Sequence, residues 1–144
     1  MLILNVNTRR QEHNMPECVL RVSGSKEKIK KFLATSSFKP AIVYFKGEHK
    51  GANRTWLSTG FNLVLCSSEG IEKQVAGAVR FMKRHKDEFD RMKGYGFKAP
   101  VIDFGLYDNA TEDHPWPAYR LPTNLIALAA EYGFQIELSF FGKE

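Results

Sequence analysis

Four side chains capable of metal binding or acid–base chemistry lie close together between residues 108 and 114, in the stretch YDNATEDHPWPAY. The carboxylates of Asp108, Glu112 and Asp113 and the imidazole of His114 are ligands that divalent cations accept. Their spacing matches neither an EF-hand loop nor the H-E-x-x-H zinc pattern. The sequence therefore predicts no metal and no other cofactor. It assigns these four residues instead to a loop that binds a partner protein, where the carboxylates contact cations of the partner.

The same loop carries two aromatic residues beside prolines, which is typical of a protein-docking edge. Trp116 and Tyr119 follow Pro115 and Pro117, and proline stiffens a loop while tryptophan and tyrosine contribute most to binding energy at interfaces. Trp116 and Tyr119 are therefore predicted to anchor a partner protein. Trp116 could equally cover the hydrophobic core.

Cations concentrate on the outer faces of two predicted helices. At about 100° per residue, Arg80, Arg84 and Arg91 fall close to one line of the longer helix, and the shorter helix presents Lys28 and Lys31. Such a face is usually just solvated, but it also attracts phosphate groups. The alternative prediction is a nucleic-acid-binding protein that uses these five side chains.

A third hypothesis is a small enzyme with an acid–base pair such as Asp103 and His114, since a carboxylate and an imidazole can exchange protons with a substrate. The chain contains no phosphate-binding P-loop, no G-x-S-x-G elbow and no C-x-x-C pair. Nucleophilic and metal catalysis both lack a recognisable set of residues. A non-catalytic protein is therefore preferred.

The pentapeptide KGYGF at residues 93–97 resembles the start of a ribonucleoprotein sequence of the RNA-recognition-motif type. In that motif the aromatic residues stack bases from a central strand. Here the pentapeptide directly follows a long helix pattern, and glycine weakens a strand. We expect Gly94 or Gly96 to end the helix in a left-handed conformation, and Tyr95 or Phe97 to pack against the protein.

The surrounding pattern predicts an α+β fold with the order β-α-β-β-α-β-α-β. Its first six elements have the ferredoxin-like, split-βαβ order, so we expect a mixed or antiparallel sheet with helices on one face. Ser25 should cap the first helix, Ser67 or Ser68 the second, and one uninterrupted helix should run from residue 71 to residue 92. Gly133 should end the last helix.

Composition and charge suit a single soluble domain over residues 1–144. Residues 1–98 hold 19 lysines and arginines against 9 acids, and residues 99–144 hold 2 against 7, which together give the net charge of +5. No leader peptide and no membrane-spanning run are apparent, so the chain is predicted to be cytoplasmic. Cys18 and Cys66 are predicted to be buried hydrophobic residues.

The C-terminal sequence LPTNLIALAAEYGFQIELSFF resembles the ending of a small bacterial α/β family. A Val-Leu-Arg-Val strand followed by a Ser-Gly turn, and Lys46-Gly47 after the second strand, extend the resemblance over most of the chain. Some members of that family resemble immunity proteins, which bind and block a toxin. The resemblance implies a structural pattern and carries over no catalytic residue, and the net positive charge departs from the acidic immunity proteins that mimic nucleic acid.

The sequence therefore predicts a non-catalytic, cytoplasmic protein-binding domain of bacterial type, with an immunity protein that occludes a toxin's active site as its most specific form. Nucleic acid is the alternative partner, and no membrane contact is expected. An exposed edge strand could also pair with a second copy and form a homodimer.

Overall fold

The architecture is a five-stranded mixed sheet with helices packed against one face, and a separate two-stranded hairpin. The computed structural model describes residues 16–107, 112–113, 115 and 117–141. The helices of these residues are α1 (Lys26–Thr35), α2 (Ile71–Arg84), α3 (Lys86–Gly94) and α4 (Thr123–Tyr132). The strands are β1 (Glu17–Ser23), β2 (Ile42–Tyr44), β3 (His49–Gly51), β4 (Arg54–Thr55), β5 (Gly60–Ser67), β6 (Val101–Tyr107) and β7 (Gln135–Phe141).

The strand order of the larger sheet is β2-β5-β1-β6-β7. Strand β5 is antiparallel to both β1 and β2, and β1 is also antiparallel to β6. Strands β1 and β2 therefore run parallel with β5 inserted between them, and α1 connects them, which is the split-βαβ arrangement. The predicted α+β class and ferredoxin-like order are confirmed.

Strand β7 extends this arrangement beyond β6. It pairs with β6 in parallel, with Ile102 opposite Ile136 and Phe104 opposite Leu138. A parallel pair needs a crossover connection, and α4 supplies it between the two strands. Residues 117–122 lead into α4, which packs in the helical layer before the chain enters β7.

Alternating side chains separate the two faces of the sheet. In β1 the residues Cys18, Leu20 and Val22 are fully buried against the helices, whereas Val19 and Arg21 on the opposite face are half-buried. The buried side chains of β5 and β6 continue the same layer and meet the apolar sides of all four helices in one core cluster. The site residues described below are held by this core.

The helix predicted from residue 71 to residue 92 divides at His85, whose φ is −106° and ψ is 30°, into α2 and α3. The bend turns both segments toward Phe38. The ring of Phe38 lies 6.2 Å from that of Phe81, 6.1 Å from His85 and 5.0 Å from Phe89. The expectation of one uninterrupted helix is wrong because both segments wrap around a side chain from the loop after α1.

The predicted cap of α1 is confirmed, and the predicted cap of α2 is not. The Oγ of Ser25 accepts a hydrogen bond from the Lys28 amide at 3.2 Å. Helix α2 instead begins after Gly70, which has a φ of 82° and makes no side-chain cap bond. Glycine adopts this φ readily, so the chain turns into α2 two residues beyond Ser68. At the other end of the helical layer, Gly133 ends α4 with a φ of 71°, as predicted.

The pentapeptide at residues 93–97, which resembles a ribonucleoprotein sequence, forms the C-terminal end of α3 and the turn that follows it. Gly96 adopts a φ of 67° just after α3, in agreement with the prediction. The rings of Tyr95 and Phe97 lie 5.3 Å and 5.9 Å from the ring of Phe32 in α1, both edge-on. These aromatic residues pack against the protein on the helical side of the sheet, so they are not a base-stacking strand.

Both cysteines are free. Cys18 is fully buried, and its burial raises the pKa of the thiol well above the ordinary value. Cys66 is half-buried, and its Sγ donates a hydrogen bond to the carbonyl of Lys73 at 3.7 Å. Both cysteines therefore serve as small packing residues between the sheet and the helices.

Candidate functional site

A groove of about 620 Å³ lies between α2 and the segment that enters α4. Helix α2 contributes Glu72, Val75, Ala76, Val79, Arg80 and Lys83. The opposite side is formed by Arg120, Pro122 and Asn124. We refer to these nine residues as the α2–α4 groove. Its volume is in the range of sites that bind ligands or the side chains of a partner.

The floor of the groove follows from the helical period. Val75 and Val79 are four residues apart, so they lie on one side of α2, and Ala76 widens that apolar side. Both valines are nearly buried, while Ala76 is exposed. Across the groove, Pro122 takes the extended conformation of an N-cap, and its carbonyl accepts a hydrogen bond from the Ile126 amide at 3.2 Å. The floor is therefore apolar and is held by two helices.

The margin of the groove is cationic. Arg80, Lys83 and Arg120 are exposed, and Glu72 is the one acid among the described residues that line the groove. The charge of Arg80 also reaches the neighbouring Cys66, where it partly offsets the burial that raises the pKa of that thiol. Three cations around an apolar floor suit a partner that combines apolar and acidic side chains.

The predicted partner-binding loop directly precedes, along the chain, the residues that form one side of this groove. Glu112 and Asp113 are exposed, whereas Asp108, His114 and Trp116 lie outside the described residues, so the assignment of this loop to a partner stays a prediction. The order of the chain takes this loop directly into Arg120 and Pro122, so the acidic stretch and the cationic margin belong to one connection between β6 and α4.

Tyr119 is half-buried and does not project freely into solvent. Its ring lies 5.6 Å from the ring of Phe140 in β7, and its hydroxyl is buried with no hydrogen-bond partner among the described residues. Phe140 is 51 % exposed. An unsatisfied buried hydroxyl is costly in free energy, and a change of the Tyr119 rotamer that brings the hydroxyl to the surface would remove that cost. Tyr119 therefore lies at the edge between the protein and its surroundings.

The cations predicted to form a nucleic-acid face are distributed over three helices. Lys28 and Lys31 lie on α1 and are exposed, and Arg84 on α2 is exposed as well. Arg80 lines the α2–α4 groove. Arg91 on α3 is occupied within the protein, as described next, so it is poorly placed to meet a phosphate.

Arg91 is held by an acid, by backbone and by aromatic rings. Its guanidinium donates hydrogen bonds to Glu88 at 2.7 and 2.9 Å and to the Phe32 carbonyl at 3.0 Å, and it lies 4.5 Å from the centre of the Phe32 ring. Burial tends to raise the pKa of Glu88, but hydrogen bonds from Arg91 and Ser36 outweigh it and hold that pKa below its ordinary value. The sequence pattern could not show this because Phe32 lies far away along the chain.

Asp103 lies on the face of the sheet opposite the helices and is fully engaged there. One of its carboxylate oxygens accepts from Arg21 at 2.5 Å, and the other accepts from Ser139 at 2.6 Å. Arg21 also donates to Glu137. Burial lowers the pKa of Arg21, but these hydrogen bonds to Glu137 and Asp103 outweigh it and raise that pKa.

An acid–base pair of Asp103 and His114 is not found in the part of the chain that the structure describes, because His114 lies outside it. No group of three histidine, cysteine, aspartate or glutamate side chains in residues 16–107 and 117–141 is arranged to hold a metal ion. None of the described helices is long and apolar enough to cross a membrane.

Comparison with protein-family models, with curated proteins and with solved structures gives no significant match to this chain. The resemblance to a bacterial family with immunity-like members therefore stays a prediction. The fold and the chemistry of its surfaces carry the functional argument.

Sequence reasoning did not find the α2–α4 groove. Its one signal was the width of the apolar side of α2, where Ala76 and Val79 extend the stripe that contains Val75 and Ala78. A stripe that is wider than one packed face often carries a second contact. The position of Arg120 opposite that side follows from the path of the connection into α4, which no local pattern specifies.

Proposed function

We propose that the chain is a non-catalytic protein-binding domain whose partner occupies the α2–α4 groove and contacts the adjoining loop. The observation that carries the proposal is the groove itself, with an apolar floor between α2 and Pro122 and three exposed cations around it. Apolar side chains of the partner would fill the floor, and its acids would meet Arg80, Lys83 and Arg120.

The acidic loop extends the same interface with the opposite charge. Glu112 and Asp113 are exposed next to the groove along the chain, so they would meet cations of the partner. Opposite charges placed side by side make binding selective, since a wrong partner brings like charges together. Trp116 and Tyr119 are proposed as aromatic anchors of this part of the interface.

In its most specific form the proposal is a cytoplasmic immunity protein of a bacterium, which binds a toxin and occludes its active site. Two features support a binding role over a catalytic one. Asp103 is engaged by Arg21 and Ser139, and the α2–α4 groove combines an apolar floor with exposed cations, as protein interfaces do. Pairing of edge strands into a homodimer and the small-enzyme hypothesis stay predictions.

Charge reversal in the groove tests the proposal. The tagged protein is used to capture partners from its native cell lysate, with and without nuclease, and the captured proteins are quantified by mass spectrometry. The double variant Lys83→Glu/Arg120→Glu should lose at least about tenfold of one stoichiometric protein partner, because it places negative charges against the acids of the partner, and like charges across an interface cost several kcal/mol. That partner should survive nuclease treatment of the wild-type sample.

The matched control is Lys73→Glu/Arg84→Glu, which makes the same change of charge on exposed side chains of α2 outside the groove. The control should retain the partner within about twofold, since substitutions of exposed side chains outside a contact change free energies by no more than about 0.5 kcal/mol. Equal loss in both double variants would contradict the groove as the interface. A spread of ribosomal and nucleoid proteins that disappears with nuclease would contradict a protein partner altogether.

A further inference from the structure

The positive charge of this protein is concentrated in residues 26–57. That segment contains eight lysines and arginines against two glutamates, a balance of +6, which exceeds the net charge of +5 of the whole chain. The segment forms α1, β2 and the β3–β4 hairpin, which lie together at the β2 end of the sheet. No residue of the α2–α4 groove belongs to it, so this is a second and separate surface.

Aromatic rings lie among these cations. The Nζ atoms of Lys26 and Lys30, one turn apart on α1, lie 5.3 Å and 5.4 Å from the centre of the Phe45 ring. Phe45 directly follows β2 and is half-buried, so part of its ring remains accessible. Two ammonium groups therefore flank one aromatic ring at the edge of the sheet.

A second pair repeats this arrangement at the base of the hairpin. The Nζ of Lys50 lies 4.7 Å from the centre of the Trp56 ring, and the half-buried Trp56 is stacked at 4.5 Å on Tyr44, which is buried. The hairpin fixes the position of Trp56, since its amide donates to the Glu48 carbonyl and its carbonyl accepts from the Gly47 amide, both at 2.9 Å. We call Lys26, Lys30, Phe45, Lys50 and Trp56 the lysine–aromatic surface.

The cations of this segment have no acidic partner within the described part of the chain, where the ion pairs involve Arg21, Lys86 and Arg91 instead. Of the eight, all except Lys50 are exposed. Like charges that are held this close repel one another, and a polyanion that releases its own counterions on binding would relieve that repulsion. The surface is therefore better suited to a chain of phosphates than to a single small anion.

We propose that the lysine–aromatic surface binds single-stranded nucleic acid. Lys26, Lys30 and Lys50 turn from the rings of Phe45 and Trp56 to successive phosphates, and unpaired bases then stack on the ring faces that these ammonium groups cover in the free protein. Proteins that bind single strands combine a cationic track with aromatic stacking, which tolerates any base because each base has a flat face. A duplex offers the phosphates but keeps its bases stacked on each other, so it gains nothing from the two rings. This site is independent of the α2–α4 groove.

The test measures fluorescence anisotropy of a labelled twelve-nucleotide single strand of uridines with the purified full chain, over a range of salt concentrations. The same strand in a duplex serves as the comparison. The single strand should bind at least about tenfold more tightly than the duplex. Three phosphate contacts predict that log K falls with log salt at a slope of about −2, because the slope is about −0.7 per contact for a single strand.

Two kinds of variant separate the charges from the rings. The double variant Lys30→Glu/Lys50→Glu should weaken binding at least about tenfold and flatten the salt slope. The variant Phe45→Leu should weaken binding by about fivefold or more and leave the slope unchanged, since stacking is not ionic. Lys73→Glu/Lys93→Glu makes the same change of charge on exposed side chains that belong to neither proposed nucleic-acid surface, and it should retain binding within about twofold. Thermal unfolding of each variant checks that it folds.

Four results would overturn the proposal. They are equal affinity for single strand and duplex, equal loss in the surface and control variants, absence of saturable binding at low salt, and binding of poly-glutamate as tightly as the single strand. The last result would assign the surface to an acidic protein.

Discussion

Replacement of Phe32 by alanine is expected to lower the free energy of unfolding by about 3–5 kcal/mol. Phe32 is fully buried in α1, and its ring is stacked at 5.9 Å on that of Phe61 in β5. Tyr95 and Phe97 meet it edge-on, and the guanidinium of Arg91 lies over it. The substitution removes the side chain that joins α1, β5 and the exit of α3, and it leaves a cavity among rings that cannot all move inward.

Chemical denaturation monitored by circular dichroism measures this change. The matched control is Phe140→Ala, because Phe140 is 51 % exposed and its ring contacts that of Tyr119 at the edge of the sheet. It should cost less than about 1.5 kcal/mol, since much of its surface is already in water. A loss below about 1 kcal/mol for Phe32→Ala would contradict the packing described for the helical face.

Replacement of Gly60 by alanine is the second change with a large expected effect, a loss of about 1–3 kcal/mol or more. Gly60 begins β5, and a Cβ built on it would lie 2.1 Å from the carbonyl oxygen of Val22 and 2.8 Å from the hydroxyl of Tyr44. The first of these atoms is backbone of the paired strand β1, so it can give way only if the register of β1 and β5 is disturbed.

Gly94 provides the control for this substitution. It lies at the end of α3, where nothing approaches a Cβ within 4 Å. Gly94→Ala should be neutral or stabilising by up to about 1 kcal/mol, because alanine loses less conformational freedom in a helix. Denaturation midpoints of the two variants give the comparison. Equal stability of both would show that β1 and β5 do not approach each other this closely at Gly60.

Local patterns predicted much of the fold because local physics determines it. The alternation of ECVLRVS fixes which side of β1 meets the helices, and Ser25 supplies the hydroxyl that the first amides of α1 need. Gly133 ends α4 since the chain must turn there with a positive φ. These features are determined by residues that are close together along the chain, so they can be predicted from the sequence.

The features that the sequence did not predict depend on residues far apart along the chain. The division of the long helix at His85 involves Phe38, and the ion pair of Arg21 with Asp103 depends on the pairing of β1 with β6. The alternation of VIDFGLY indicates that Asp103 lies on the face of β6 opposite Ile102 and Phe104, but it does not specify which cation lies beside Asp103.

The candidate site divides in the same way. The acidic stretch that contains Glu112 and Asp113 is visible in the sequence, whereas the cationic groove depends on the crossover between β6 and β7, which places Arg120 on the same groove as Lys83. The lysine–aromatic surface likewise joins Lys26 of α1 to Phe45 after β2. The sequence shows which segments are charged, but it does not show which of their side chains lie together on one surface.

A photoreactive benzoylphenylalanine placed at position 76 would test most directly whether a partner protein occupies the α2–α4 groove. Ala76 is exposed on the groove floor, and Ala130, exposed on α4 outside the groove, is the matched control position. Irradiation of native cells should give one cross-linked protein from position 76, which disappears when Lys83→Glu/Arg120→Glu is added, and little from position 130. Equal cross-linking from both positions, or a partner captured only from position 130, would contradict the groove as the binding site.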